Sequence, residues 1–151
     1  RIGLIVGDPG LGNTGGRVAG YKRACAEAGL APDPDLVRSG AFTRAHGEAA
    51  TRALLALAEP PTALFAGSNR ILVGVLEVLG REGIRIPADL SLAAFDDAEW
   101  LSSWNPPITA VDIAVDEMTY VLSTRLIERE SCRRMGTGTG NTERTESHGA
   151  H

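Results

Sequence analysis

Residues 62–97 read TALFAGSNRILVGVLEVLGREGIRIPADLSLAAFDD, two short apolar runs separated by a longer apolar segment. TALFAG (62–67) and LSLAAF (90–95) have the length and make-up of strands. RILVGVLEVLGREG (70–83) is too long for one, and it closes at Gly83 just ahead of the Pro87 turn. Strand, helix and strand in that order form a crossover unit, which sets the two strands parallel. The same pattern continues outward. IGLIV (2–6), DLVRSG (35–40) and ITAV (108–111) are further apolar runs. Val18, Tyr21, Cys25 and Ala28 mark a helical stripe that Gly29 stops, and Ala49, Ala50, Ala53, Leu54 and Leu57 mark a second one ahead of Pro60-Pro61. The alternation β-α-β-α-β-α-β predicts an α/β fold, a parallel sheet with helices on both faces.

The third helix is apolar almost all round, with Ile71, Leu72, Val73, Val75, Leu76, Val78 and Leu79. A helix lying on a sheet needs one apolar stripe, so its second apolar face meets either another part of the same domain or another subunit. A fourth helix, expected near 114–130, carries Met118, Val121, Leu122 and Leu126 on one side and must dock somewhere.

At 151 residues and 43% hydrophobic, the chain can bury one core. A net charge of -4 argues against a nucleic-acid surface. No apolar stretch is long enough to span a membrane. Cys25 and Cys132 are too few for a disulfide framework, which fits a reducing cytoplasm. The chain opens on Arg1 and runs straight into a strand, as the interior of a longer protein would. After Glu130 the periodicity is lost in SCRRMGTGTGNTERTESHGAH, so residues 131–151 are expected to be a disordered tail and 1–130 the folded body. His148 and His151 have the spacing of helical metal ligands, but the tail offers no set of further ligands, and no metal is expected.

Ligands of open parallel sheets sit beyond the carboxyl ends of the strands. The first strand is followed by GDPGLGNTGGRVAGY, with Asn13 or Thr14 placed to cap a helix and Arg17 on its first turn. Phe42 follows the second strand, Ser68 and Asn69 the third, Asp96 and Asp97 the fourth. One edge thus gathers a cation, an aromatic ring, neutral polar groups and a carboxylate, the mixture that a hydroxyl-rich small molecule requires. Each residue also has a plainer role open to it: Phe42 in the core, Ser68 and Asn69 as helix caps, the aspartates in a turn. The glycine loop lacks the GK[ST] of a phosphate cradle and the GxGxxG spacing. His46, the only histidine of the body, has no nucleophile beside it, and paired carboxylates without a phosphate-handling partner make poor magnesium chemistry. No catalytic residues, enzyme activity or cofactor are expected.

Taken together, RIGLIVGDPG, RVAGYKRACAEAGL, DPDLVRSGAFTRAHGEAATRALL, PPTALFAGSNRILVGVLEVLGREGIRIPADLSLAAFDDAEW and NPPITAV resemble, in order, the effector-binding domain of LacI/GalR-type transcription regulators. The resemblance covers nearly all of residues 1–130. It implies one lobe of a type I periplasmic-binding-protein-like fold, truncated, without the N-terminal helix-turn-helix, the other lobe or the closing strand. It also implies roles. Arg17 and Asn13 would grip the effector, Phe42 would stack on it, Asp96 would accept from its hydroxyls, and Trp100 would border the pocket. Ser68 stands where the family usually has Asn, so its contact would be altered. The third helix, through Ile71, Leu72 and Val75, would form the dimer surface of the intact protein. The expected partners are a small polar effector, a sugar above all, and DNA only through the missing domain. The alternative is a periplasmic sugar-binding protein of a transporter.

Overall fold

A computed structural model describes residues 1–136 except Gly12 and Pro32, with side chains through Arg129. Elements alternate as β1 (Ile2–Val6), α1 (Thr14–Glu27), β2 (Val37–Ser39), α2 (Arg44–Leu55), β3 (Ala63–Ala66), α3 (Asn69–Arg81), β4 (Ser91–Phe95), a short α4 (Glu99–Ser102), β5 (Thr109–Val111) and α5 (Val115–Gly136). The five strands form one sheet in the order β2-β1-β3-β4-β5, every pairing parallel. Each expected apolar run contains one strand. The glycine stops act as read. Gly29 and Gly83 take φ of 68° and 70°, and the N–H of the residue after each donates back to Cys25 O and Leu79 O respectively.

The strand alternation splits the core between two faces. Ile5, Leu64, Ala66, Leu92 and Ala94 join Ala50 and Leu54 of α2 and the apolar residues of α3 in one cluster. Leu4 and Val6, of opposite parity, are fully buried outside that cluster, as is Cys25 of α1 nearly so. The α2 stripe differs from the expected one. Gly47, Ala50, Thr51 and Leu54 are buried, whereas Ala49 and Ala53 are exposed, and the helix ends at Leu55 rather than at the prolines.

One correction follows from the burial of α3. Ile71, Leu72 and Val75, expected at a subunit interface, are completely enclosed in this chain's own core. The second apolar face of α3 meets α2 instead, and glycines make the approach close. A Cβ on Gly47 would lie 2.2 Å from the Ile71 carbonyl oxygen, and one on Gly74 would lie 2.2 Å from that of Arg44. The residue of α3 that is both large, apolar and exposed is Val73. Arg44, Glu48, Glu77 and Arg81 form a network of ion pairs between α2 and α3.

A turn before β4 is fixed by Asp89, which accepts from Arg85 Nε and Nη2, each at 2.7 Å, and from its backbone N–H. The Arg85 side chain holds the Asp89 carboxyl down at about 2. A depressed carboxylate stabilises above its unfolded pKa of about 3.9 and loses that contribution as pH falls through the folded value. The window is therefore roughly pH 4 to 2. In Arg85→Ala the Asp89 titration, followed by carboxyl 13C shifts, is expected to return to the ordinary carboxylate range.

Residues 1–113 form one compact unit, and the segment from Ala114 onward is a second. Within the latter, α5 runs past the expected end at Glu130 to Gly136, over Arg and Met residues that favour a helix. Its Met118, Val121, Leu122 and Leu126 are exposed. The remainder of the expected tail, with His148 and His151, lies outside the described residues. No described helix is long and apolar enough to cross a membrane.

Candidate ligand site at the carboxyl edge of the sheet

The order β2-β1-β3 reverses the chain's progress at β1, so the loops after β1 and β3 leave in opposite directions and open a crevice between them. The loop after β1 turns at Asp8, whose carboxylate accepts from Gly10 N–H at 2.8 Å, and leads into α1. On the first turn of α1, Arg17 extends over the ring of Phe95, with 3.9 Å between the guanidinium carbon and the ring centroid. Burial lowers the pKa of Arg17, and the nearby Asp96 carboxylate partly opposes that shift. Its Nε and Nη1 are buried and have no hydrogen-bond partner.

Asp96 directly follows β4 with φ of 87°, the only described non-glycine residue in the left-handed region, and its N–H donates to Val111 O at 3.0 Å. Aspartate tolerates that conformation better than most residues, although at some cost. Its Oδ2 accepts from Asn69 Nδ2 at 3.3 Å, while Asn69 Oδ1 is buried without a partner. A cation, an aromatic face, a carboxylate and an amide thus meet at one edge, with polar capacity unused. Such unused capacity in a buried site is uncommon and accounts for itself where a ligand binds.

Of the expected residues, Arg17 and Asp96 are brought together. Ser68 sits beside Asn69, but its hydroxyl oxygen is engaged as the α3 cap, accepting from Ile71 N–H at 3.3 Å. Asn13 occupies the α1 cap position, is exposed, and makes no side-chain capping bond. Phe42 is half-buried and lies on the backbone of Gly7, where a Cβ would come within 2.1 Å of the ring. Trp100 stands on α4, exposed, a turn beyond Asp96. Asp97 is exposed next to it. Two members of the site were not anticipated in their roles, Phe95 and Asn69. The parity of β4 carries a signal for the first: Leu92 and Ala94 face α3, so Phe95 must face the α1 side, where Arg17 is.

His46 has a structural task. Its Nε2–H donates to the Val6 carbonyl at 3.1 Å, and its ring covers Gly40, which ties α2 to the end of β1. Among the described residues no three His, Cys, Asp or Glu side chains gather as metal ligands. A 320 Å³ cavity between the end of α3 and Trp104 lies at the opposite, amino end of the strands. Its one charged side chain, Arg85, is already committed to Asp89.

Comparison with known proteins agrees with this architecture. Residues 1–146 match the periplasmic binding protein-like domain. The HTH-type transcriptional repressor CytR of Escherichia coli K12 is 31% identical over 138 residues, 91% of this chain and 40% of its own. The ribose operon repressor of Haemophilus influenzae is 31% identical over 85% of this chain and 39% of its own. A solved complex of the transcriptional regulator CelR with cellobiose superposes with a TM-score of 0.81 at 32% identity, over 88% of this chain and 41% of that one. The chain thus spans about two fifths of the length of these relatives. It belongs to the periplasmic binding protein-like domain family, and its relatives in sequence and in structure are LacI-type transcription regulators.

Proposed function

We propose that this chain supplies most of one lobe of the effector-sensing domain of a cytoplasmic LacI-type regulator, and that the carboxyl edge of its sheet binds a neutral, hydroxyl-rich effector, a sugar. The observation that carries the reading is the Arg17, Phe95, Asp96 and Asn69 group, with its unpaired donors and acceptor at the crevice where such folds bind ligands. A sugar hydroxyl both donates and accepts, and so serves carboxylate and guanidinium together, while Phe42 and Trp100 offer ring faces nearby. In the whole protein, effector binding would bias two arrangements of paired lobes, and through them the DNA affinity of an attached headpiece. The transporter alternative shares the fold, but the relatives reported above are regulators. Affinity for a single lobe should be weak, since half the walls that would cover the ligand lie in the other one.

Titrating the 15N-labelled chain with cellobiose and with ribose tests the site. Amide shifts confined to residues 15–18, 68–70 and 95–98 are expected with at least one of them. Spectra that neither sugar changes, or that change only elsewhere, overturn the sugar assignment.

The same reading includes a homodimer. With Ile71, Leu72 and Val75 buried, the apolar surface that α3 offers is Val73, on a helix whose Glu77 and Arg81 pair with Arg44 and Glu48 of α2. Self-complementary patches of this kind suit a two-fold contact. Val73→Asp is expected to shift sedimentation from dimer to monomer without changing the far-UV spectrum. An unchanged sedimentation profile would remove Val73 from the interface.

A further inference from the structure

Arg17 and Asp96 carry opposite charges in a partly buried setting, where attraction is stronger than in water. Left to themselves they would close on each other, and a ligand would first have to break that pair. They have not closed. No ion pair joins Arg17 to Asp96 among the described residues, and two of the three guanidinium nitrogens have no partner at all. Each is held from its own side. The guanidinium lies 3.9 Å from the Phe95 centroid, in the range of a cation–π contact. Asp96 is fixed by its Oδ2 bond from Asn69 Nδ2 and by its own N–H bond to Val111 O. Asn69 in turn is anchored at the start of α3, directly after the Ser68 cap, and Phe95 by its register with Val111 in the sheet.

We propose that Phe95 and Asn69 are positioning residues that hold the ligand clamp open: the ring retains Arg17 and the amide retains Asp96, so that the two do not quench one another and an incoming polyol meets both with hydrogen-bonding capacity free. The neutrality of residue 69 matters here. An amide can donate to Asp96, whereas a second carboxylate would repel it and draw Arg17 off the ring. The favoured ligand chemistry is a pair of neighbouring hydroxyls, one donating to the carboxylate and the other accepting from the guanidinium. This rests on the small-molecule reading above, but the first measurement needs no ligand.

In the ligand-free chain the Arg17 Nε–Hε resonance reports both neighbours. Ring-current displacement is expected in the native chain, retained in Phe95→Tyr and lost in Phe95→Leu. Asp96→Asn should leave the resonance nearly unmoved in the native background but shift it in the Phe95→Leu background, where the pair has closed. If Asp96→Asn moves it as far as Phe95→Leu does in the native background, or if Phe95→Leu leaves it in place, the open clamp is refuted. Should Phe95→Leu not fold, Asn69→Ala carries the test, because a released Asp96 would pull Arg17 off the ring and reduce the displacement. With cellobiose or ribose as probe, whichever binds, Phe95→Leu and Asn69→Ala are each expected to weaken binding about tenfold, and Phe95→Tyr to stay within about twofold. Unchanged affinity in both weakened variants also refutes it. Failure of both sugars to bind the native chain overturns the sugar reading alone, and the resonance then decides the clamp.

Discussion

Gly74→Ala is expected to lower the stability of the folded unit by about 3 kcal/mol, the upper part of the range for overpacking a tight core. The added carbon would stand 2.2 Å from the Arg44 carbonyl oxygen and 2.7 Å from the Glu48 amide nitrogen. Both are backbone atoms in the first turns of α2, so no side chain can rotate out of the way. Relief requires the two helices to separate, which opens the cluster around Ile71, Val75 and Ala50. Gly80→Ala is the control on the same helix. Gly80 is exposed with open space around its Cβ position, and alanine there should be neutral or stabilising by about 0.5 kcal/mol. Urea unfolding of the two variants separates contact from helix propensity. Equal midpoints would mean that α2 and α3 do not touch through their backbones.

Asp96→Gly is expected to move stability and binding in opposite directions. Glycine adopts φ of 87° without the steric cost that any L side chain carries, so the variant should gain about 1 kcal/mol. It also removes the carboxylate facing Arg17, and the sugar dissociation constant should rise by at least about a hundredfold, as when one member of a buried charged hydrogen-bond set is cut away. Asp96→Ala loses the carboxylate and keeps the strain, so it should bind as poorly while being less stable than Asp96→Gly. Arg17→Ala should lose binding to a similar degree without unfolding, since the residue is only half-buried at the rim. Thermal melts and calorimetry together provide the check. A variant of Asp96 that gains stability and still binds would show that the carboxylate is not part of the clamp.

The alternation of strands and helices, the parallel sheet it requires and both glycine stops were legible in the sequence because they depend on local signals: apolar runs of strand length, helical spacing, and the left-handed turn that Gly29 and Gly83 alone allow cheaply. The destination of α3 was not. Its all-round apolarity states that a second surface covers it, but the identity of that surface is a tertiary fact. The signal that could have chosen between α2 and a partner subunit was the pair Gly47 and Gly74, small residues early on two successive helices. At the site, Arg17 and Asp96 were found by their positions past strand ends, which the topology forces together. Phe95 and Asn69 were hidden behind the ordinary roles of their positions, the last residue of a strand and the first turn of a helix. What distinguishes them is orientation, a consequence of strand parity in one case and of the Asp96 backbone in the other.

The glycine contact between α2 and α3 falls in the first turn of α2 and early in α3, and both helices begin at the ligand edge: α2 just after Phe42, α3 just after Ser68. Two helices meeting backbone to backbone there act as a fixed gauge. The span from Phe42 to Asn69 cannot widen or narrow without parting main chains, whereas Arg17 arrives from the far face of the sheet on a helix with no such lock. On the proposed ligand reading, the α2–α3 side of the crevice is its rigid side, and substitutions that disturb Gly47 or Gly74 should change ligand preference as well as stability.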